Sequence, residues 1–322
     1  MPEIESTHFT LETLAEGVVA CIHKPGGGAF SNAGIVDLGD RTLIIDAFDT
    51  RAAGKDLRRA AETLSGRPID TLVLTHAHSD HWVGASAFDA TTTMLATEPV
   101  REACKERGAE MTAEFEDPAE WEAWLHEMEA QFETEGDAQV RAGLETAITR
   151  ARYTIAEMAE FEPRDADETF RNPVTFQGST RLAELRSLGR GHSTDDAVLL
   201  LPEDGIAFIG DVGFFDRQPY MGDCDVDGYR EQLRTFQEAD FRVLVPGHGP
   251  VGGVEDIALE LRYLDVIEEL VTGVAQRGGS FEEAMGITLP APFDRWQMGG
   301  RWCFGVNVRT LFARAGGEVP EE

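Results

Sequence analysis

Three histidines and one aspartate fall within six consecutive positions of the chain, at His76, His78, Asp80 and His81. Histidine is scarce elsewhere, because the whole chain has eight. The cluster follows the apolar run 71–74, which predicts a buried strand that ends just before it. A turn at that place can aim several nitrogen and oxygen donors at one point, and such donors form transition-metal sites. The alternative is a polar turn that collects histidines by chance.

Three further donors occur at comparable places later in the chain. Asp211 ends the apolar run 206–211, and His248 follows the run 243–245 within a Pro-Gly-His-Gly sequence. His192 lies in a Gly-His-Ser-Thr sequence. Each of these donors has a glycine next to it, which lets the backbone turn sharply and come close to a ligand. The additional donors favour a metal site over a chance cluster.

In this order the motifs resemble those of the metallo-β-lactamase-fold hydrolases. The shared pattern is His-x-His-x-Asp-His, then Gly-His, then a strand ending in Asp, then Pro-Gly-His-Gly, and it spans roughly residues 18–253 with one interruption. The resemblance implies an α+β fold of the four-layer αβ/βα sandwich type. In that fold two mixed sheets pack face to face, helices lie outside, and a metal site occupies one edge.

The resemblance also implies two metal ions bound by seven side chains. The first ion would be bound by His76, His78 and His192. The second ion would be bound by Asp80, His81 and His248, and Asp211 would bridge the two. All seven positions carry residues typical of the family. The ligand set therefore gives no reason to expect a single metal.

Such a centre would catalyse hydrolysis without a side-chain nucleophile. Two divalent ions about 3.5–4 Å apart lower the pKa of a shared water toward neutrality, so that it attacks as hydroxide. The ions also polarise the carbonyl group and stabilise the charge that develops on its oxygen. Zinc is the default for histidine and carboxylate ligands, and iron and manganese are alternatives. The predicted substrate has an ester-like bond, as in a lactone, a thioester or a related carboxylic ester.

Other activities on the same fold stay open. A phosphodiesterase is one, and an iron-dependent oxidoreductase of sulfur compounds is another. Sulfur dioxygenases of this fold generally use one iron, which would leave Asp80, His81 and His248 without a ligand role. A glyoxalase II-type thioesterase is disfavoured, because no lysine follows Lys105 to bind glutathione. A non-catalytic protein is disfavoured as well, because such proteins commonly lose ligands.

Several other residues could support the centre. Asp46 ends a strand-like run ahead of the histidine cluster, where it would support the metal site from behind or cap a turn. Four more side chains could bond the outward-facing imidazole nitrogens, namely Thr75, Ser193, Thr194 and Asp196. Loop capping explains Ser193 and Thr194 equally well.

The loop after Asp211 is predicted to form an apolar wall for substrate, because in the resembling family it lies beside the metals. Its apolar side chains are Phe214, Phe215, Tyr220 and Met221. The Tyr220 hydroxyl could donate a hydrogen bond to a reacting oxygen, which makes Tyr220 a candidate catalytic residue together with Asp80 and Asp211. Simple packing of the tyrosine is the alternative.

Apolar periodicity predicts the elements that position these residues within a single domain over residues 1–322. Residues 51–65 are predicted to form a helix. Residues 99–163 are predicted to form two amphipathic helices, a hairpin inserted into the sandwich. As a cap, this insertion would place Trp121 and Trp124 facing substrate. The alternative is a packing or homodimer element.

Residues 251–315 are predicted to form a C-terminal helical extension that packs on the core. An apolar stripe marks its first helix, with members Val254, Ile257, Leu261, Leu264, Ile267 and Leu270. This stripe is expected to be buried.

Charge and cysteine content limit the partners and the compartment. The net charge is −31, and the acidic residues are spread along the chain. Because salt screens self-repulsion, this composition predicts a halophilic source. It also disfavours nucleic acid and anionic membranes as partners, which leaves a small-molecule substrate. Four scattered cysteines, no signal-peptide pattern and no transmembrane-length apolar run predict a cytoplasmic protein.

Overall fold

A computed structural model of the chain describes residues 4–320. Within these residues the first sheet contains seven strands in chain order: β1 (Phe9–Ala15), β2 (Val18–His23), β3 (Ala33–Asp37), β4 (Thr42–Ile45), β5 (Thr71–Val73), β6 (Thr93–Thr97) and β7 (Glu168–Phe170). Strands β1 to β4 pair antiparallel, whereas β4 to β7 pair parallel. The carboxyl ends of the parallel strands therefore meet at one edge of the sheet.

The second sheet, counted over the same described residues, contains five strands: β8 (Val174–Gln177), β9 (Leu182–Ser187), β10 (Ala197–Leu201), β11 (Ile206–Phe214) and β12 (Val243–His248). Neighbouring strands pair antiparallel from β8 to β11, and β11 pairs parallel with β12. Both sheets are therefore mixed, as the family resemblance implied.

The two sheets pack face to face. Ile45 and Val73 of the first sheet share a buried cluster with Leu199 and Phe208 of the second. Successive side chains of a strand point to opposite faces, so Ile44 belongs to a different cluster, beneath the outer helices. Each sheet thus buries one face against the other sheet and one against helices. This arrangement confirms the predicted α+β fold, the αβ/βα sandwich.

Helices cover the outer faces of the sandwich. They are α1 (Arg51–Ser65), the single turn α2 (Ser79–Trp82) and, on the second sheet, α6 (Val226–Glu238) and α7 (Val254–Gln276). Helix α1 has the predicted bounds because local signals fix both ends. The Thr50 side chain accepts a hydrogen bond from the Ala53 amide at 3.1 Å, and Gly66 ends the helix with φ of 68°.

The insertion consists of α3 (Glu98–Glu114), α4 (Pro118–Thr134) and α5 (Ala138–Glu157). Helices α4 and α5 form the predicted hairpin, but α3 was not predicted. Its buried positions are Val100, Cys104, Gly108 and Met111, which include a glycine and a cysteine. Such a row is only weakly apolar, so its period is hard to recognise in the sequence.

The C-terminal extension contains α7, α8 (Phe281–Met285) and α9 (Trp302–Arg314). Ile257, Leu264 and Ile267 are buried as predicted, whereas Val254 and Leu270 are 41% and 37% exposed, which contradicts the prediction. Val254 begins the helix, and Leu270 lies one residue, about 100° of helix rotation, from the buried Val271. Among the helices of residues 4–320, none combines the length and apolar character required to cross a bilayer.

Candidate metal centre

The seven predicted donors come together at one edge of the two sheets. His76 and His78 lie in the loop that leaves β5, and Asp80 and His81 lie in α2. From the second sheet, His192 comes from the β9–β10 loop, Asp211 from β11, and His248 from the end of β12. Asp211 was expected to end its strand, but β11 continues to Phe214 with an irregular register against β12. The irregularity turns Asp211 toward the other donors.

The first set of donors consists of His76, His78, His192 and Asp211. The Nδ1 atom of His78 lies 3.0 Å from the Nε2 atoms of both His76 and His192. The Oδ2 atom of Asp211 lies 3.5 Å from His76 Nε2 and 3.3 Å from His192 Nε2. In a tetrahedral site with bonds of about 2.1 Å, ligand atoms are about 3.4 Å apart. These four atoms therefore fit one metal ion.

The second set consists of Asp80, His81 and His248. The Nε2 atom of His248 lies 3.4 Å from Asp80 Oδ2 and 3.4 Å from Asp211 Oδ2. The Nε2 atom of His81 lies 3.1 Å from Asp211 Oδ1. The Asp211 carboxylate thus contacts both sets.

Several of these atoms are buried without a hydrogen-bond partner among the described residues. They are His81 Nε2, His248 Nε2 and Asp211 Oδ1. A buried polar atom that forms no hydrogen bond costs about 1–3 kcal/mol. Divalent cations bound by the two sets would satisfy these three atoms. The donor types and the unpartnered atoms therefore fit a metal centre.

The pKa shifts within the cluster also support a metal centre. Burial raises the pKa of Asp211, but His248, His81 and His76 outweigh it and hold that pKa well below its ordinary value. Burial lowers the pKa of His81, yet the Asp211 and Asp46 carboxylates raise it well above its ordinary value. The site thus attracts positive charge, and a metal ion would displace the proton of His81.

A buried carboxylate orients the histidines from behind. The Oδ2 atom of Asp46 lies 2.8 Å from His81 Nδ1 and accepts a hydrogen bond from Thr75 Oγ1 at 2.8 Å. The same hydroxyl lies 3.0 Å from His76 Nδ1 and accepts from it, since its own proton is used on Asp46. The Nε2 lone pairs of both rings therefore face the centre. Of the two interpretations of Asp46, the supporting role is correct.

The loop that holds His192 is organised by capping. The Ser193 backbone amide and hydroxyl both donate to the Asp196 carboxylate, at 3.1 and 2.6 Å. Gln232 links that carboxylate to the His192 backbone. The Nδ1 atom of His192 has no hydrogen-bond partner among the described residues, and Thr194 is exposed. Bonding of Ser193, Thr194 or Asp196 to an imidazole nitrogen was therefore wrong, and loop capping explains them.

Two residues that the sequence did not indicate complete the surroundings. Asp223 Oδ2 lies 3.1 Å from His78 Nε2 and orients that ring, and the hydrogen bond with His78 lowers the pKa of Asp223. Asn32 donates hydrogen bonds to the carbonyl oxygens of Pro246 and Gly249, at 3.0 and 2.9 Å, and so braces the loop around His248. Both act through contacts distant in sequence, and no local pattern marks them.

The structure contradicts the apolar wall that was predicted to face substrate. Phe214, Phe215 and Met221 are fully buried, and Phe214 stacks beneath His248 with ring centroids 5.0 Å apart. They support the centre from inside because β11 continues through Phe214. Tyr220 is half-exposed and lies edge-on to His78 with centroids 5.4 Å apart. Of the four side chains, Tyr220 is the one at the surface beside the centre.

The insertion docks beside the metal edge through α5. Arg150 forms a bidentate ion pair with the buried Asp49, at 2.7 and 2.9 Å, and donates to Ser79 Oγ at 2.7 Å. The Glu157 carboxylate accepts the first two amides of α1, at 2.7 and 2.8 Å. Trp121 and Trp124 lie on α4 instead, where they pack edge-on against each other.

The sequence and the fold of the chain are similar to those of known proteins. Residues 26–248 match the family model described as the metallo-beta-lactamase superfamily. No curated protein matches the sequence. Similar solved structures include a metallo-beta-lactamase from Erythrobacter litoralis with beta mercaptoethanol in the active site, at a TM-score of 0.55 and 20% identity, covering 81% of this chain and 98% of that one.

Two further structures give the same fold. A metallo-beta-lactamase from Hirschia baltica has a TM-score of 0.54 and 18% identity, with coverage of 80% of this chain and 98% of the other. FIM-1 from Pseudomonas aeruginosa, in its mono-zinc form, has a TM-score of 0.54 and 17% identity, with coverage of 80% and 96%. The family model covers all seven donors, whereas the C-terminal helices lie beyond it.

Proposed function

Since this chain belongs to the metallo-beta-lactamase superfamily and is a metal-dependent hydrolase, we propose that it binds two divalent ions, most simply zinc, and hydrolyses an ester-like bond. The substrate would be a lactone, a thioester or a related carboxylic ester. The observation that carries this proposal is the position of Asp211. Its Oδ1 atom lies 3.1 Å from His81 Nε2, and its Oδ2 atom lies 3.3 Å from His192 Nε2. One carboxylate between two histidine sets is the arrangement of a bridging ligand.

Bound at these donors, two divalent ions would lower the pKa of a water toward neutrality and polarise the bond under attack. The chain's own residues would do the rest. Asp46 and Thr75 keep the imidazole nitrogens in the orientation that ligands require. We assign Tyr220 the donation of a hydrogen bond to the reacting oxygen, which its half-exposed place beside His78 supports. Asp80 and Asp211 act as ligands throughout.

The charge of the chain supports a neutral ester over a phosphodiester. The net charge is −31, and an anionic phosphodiester would meet repulsion on approach. The exposed carboxylate of Asp223 lies beside the first set of donors and adds to this repulsion. A small uncharged substrate would meet neither penalty.

The test begins with elemental analysis of protein purified in high salt. We expect close to two ions per chain, and a panel of lactones, thioesters, carboxylic esters and phosphodiesters then defines the substrate. His76→Ala and His248→Ala should each lose about one ion. His126→Ala is the matched control, because His126 is an exposed histidine on α4. The mono-zinc form of FIM-1 makes this stoichiometry worth measuring directly.

Two results would contradict the proposal. One iron per chain, together with oxidation of a sulfur compound, would replace the hydrolase with an oxidoreductase and remove the second site. Two ions per chain with turnover of phosphodiesters alone would keep the metal centre and overturn the ester substrate.

A further inference from the structure

An exposed tryptophan lies one ring away from the metal donors. Trp302, the first residue of α9, is 58% exposed, the largest exposure among the large hydrophobic side chains of the described residues. Its ring stacks on Tyr220 with centroids 5.4 Å apart and an angle of 10° between the planes. Tyr220 in turn lies edge-on to His78. A continuous aromatic surface therefore leads from solvent to the first set of donors.

The stack is held in place from both sides of Tyr220. The Asn307 side chain, buried in α9, donates to the carbonyl of Pro219 at 2.7 Å and accepts from the amide of Met221 at 3.0 Å. The Cys303 thiol donates to the same Pro219 carbonyl at 3.3 Å. Because α9 forms hydrogen bonds with the residues on both sides of Tyr220, the rings of Tyr220 and Trp302 are fixed relative to each other without a bound ligand.

The insertion fixes the segment that leads into Trp302. Gly299 and Gly300 both have positive φ, 59° and 62°, so the chain turns sharply just before α9. A Cβ on Gly143 of α5 would lie only 2.6 Å from the Gly299 carbonyl oxygen. The close approach leaves no room for a side chain at position 143, and the turn at Gly299 and Gly300 therefore packs directly against α5 of the insertion. Insertion and C-terminal extension thus meet at the aromatic surface.

We propose that the Trp302–Tyr220 stack binds an uncharged apolar group of the substrate, an aryl ring or a short alkyl chain attached next to the scissile bond. This inference rests on the proposed hydrolase function and adds the substrate class. An exposed tryptophan that is pre-ordered binds flat apolar groups with little loss of side-chain entropy. The Asp223 carboxylate lies 3.1 Å from His78, and its negative charge would repel an anionic group bound beside Tyr220. Trp302 lies outside residues 26–248, so the tryptophan of the stack comes from the C-terminal extension and not from the part of the chain that the family model covers.

Binding of two thiols to the zinc-loaded protein tests the platform without any turnover. Thiolates are soft ligands for zinc, and 2-phenylethanethiol carries a phenyl group where 2-mercaptoethanol carries a hydroxyl group. Calorimetric titration of the wild type should give about tenfold tighter binding of the aryl thiol, the size expected for one aromatic contact. Trp302→Ala should abolish that preference and leave the affinity for 2-mercaptoethanol unchanged.

Trp124→Ala is the matched control, because Trp124 is a 40% exposed tryptophan on the insertion whose ring packs against Trp121. It should keep the preference for the aryl thiol. Gly143→Ala should weaken the preference, whereas Gly136→Ala, whose added Cβ meets nothing within 4 Å, should not. These pairs separate loss of the platform from general destabilisation.

The outcomes distinguish the two proposals. Equal affinity of the wild type for both thiols, or an unchanged preference in Trp302→Ala, would overturn the platform and leave the hydrolase standing. Failure of both thiols to bind zinc-loaded wild type would contradict an accessible metal centre, and the platform would be withdrawn with it. In a substrate panel, Trp302→Ala should raise KM for aryl esters by a larger factor than KM for acetyl esters.

Discussion

The Oδ2 atom of Asp46 lies 2.8 Å from the Nδ1 atom of His81, on the side of the ring away from Asp211. Asp46 adopts a φ of 59°, in the left-handed region that costs a non-glycine residue of order 1 kcal/mol or more. Its carboxylate also accepts hydrogen bonds from the Thr75 amide and hydroxyl. The fold therefore keeps Asp46 in an unfavourable backbone conformation at a place where its carboxylate orients two histidines, His81 directly and His76 through Thr75.

Asp46→Asn should lower metal affinity by about 10–100-fold, the usual effect of losing a carboxylate behind a histidine ligand. The amide removes the charge that keeps a proton on Nδ1 of His81, with Nε2 free to ligate, and it provides only one acceptor oxygen. Chelator competition measures the change. Asp204→Asn is the control, because Asp204 pairs with Arg181 near the β10–β11 turn. Equal affinity of Asp46→Asn and wild type would show that the orientation of His81 is fixed by packing alone.

Arg150→Ala should destabilise the protein by about 2 kcal/mol, because it leaves the buried Asp49 carboxylate without its ion partner. Burial, opposed by Arg150, raises the pKa of Asp49 to about 6. Without Arg150 that pKa rises further, so the folded state holds the proton to higher pH than the unfolded state. The stability deficit should therefore be larger at pH 8 than at pH 5, as measured by urea unfolding.

Arg152→Ala serves as the control for Arg150, because Arg152 is exposed on the same helix and pairs with Glu129. Such a surface pair contributes about 0–1 kcal/mol. If both variants lose the same small amount, then α5 does not depend on the Asp49 ion pair for its docking.

Features that depend on neighbouring residues could be predicted from the sequence, whereas features that depend on contacts between distant segments could not. Helix α1 was predicted with its observed bounds because Thr50 and Gly66 mark its ends within the chain itself. The seven donors were predicted because their motifs resemble those of the metallo-β-lactamase-fold hydrolases in residue type and order. The supporting role of Asp46 was one of two open interpretations, since a cap and a bond to a distant imidazole have the same local sequence.

The unpredicted residues depend on how separate segments meet. Trp302 reaches Tyr220 only because α9 folds back onto the β11–α6 loop, a contact spanning more than 80 positions of the chain. Phe214 and Met221 were assigned to the surface because nothing local shows that β11 extends past Asp211 and that α9 covers the loop. An apolar residue in a loop has the same local sequence whether another segment covers it or not.

Glu260→Gln should remove a pH dependence of stability. Burial raises the pKa of Glu260 to about 8, although hydrogen bonds with Tyr229 and the Phe214 amide oppose that rise. The folded state therefore binds a proton that the unfolded state releases near its ordinary pKa. Wild-type stability should fall between about pH 4.5 and 8, by on the order of 5 kcal/mol. Glu260→Gln should lose this component of the slope.

Urea unfolding across that pH range checks the Glu260 prediction. Glu282→Gln, at an exposed glutamate of α8, is the control and should behave as wild type. Identical slopes for wild type and Glu260→Gln would mean that Glu260 is ionised in the folded protein.

Metal removal should lower the melting temperature by several degrees or more. An ion that binds only the folded state stabilises it by RT ln(1 + [L]/Kd), about 4 kcal/mol at a thousandfold excess over Kd. Removal also leaves the buried Asp211 and the half-buried Asp80 close to each other without a cation. Calorimetry with and without chelator measures the shift, which zinc should reverse. His248→Ala should show a smaller shift, and an unchanged melting temperature in wild type would argue against an occupied centre.

Salt should stabilise this chain strongly because its net charge is −31. The screening length falls from about 10 Å at 0.1 M to about 3 Å at 1 M, so KCl should raise the unfolding free energy over this range. A variant of α4 with four exposed glutamates changed to glutamine, at positions 120, 122, 127 and 133, carries a net charge of −27, since −31 + 4 = −27.

That variant should unfold with a shallower salt dependence than wild type and should reach its plateau at lower KCl. Sucrose of equal osmolality separates screening from exclusion of solute, since sucrose carries no charge and acts only through the protein surface. If KCl and sucrose stabilise wild type equally, or if the glutamine variant keeps the full salt slope, then self-repulsion does not limit this fold. That result would contradict the halophilic source predicted from the composition.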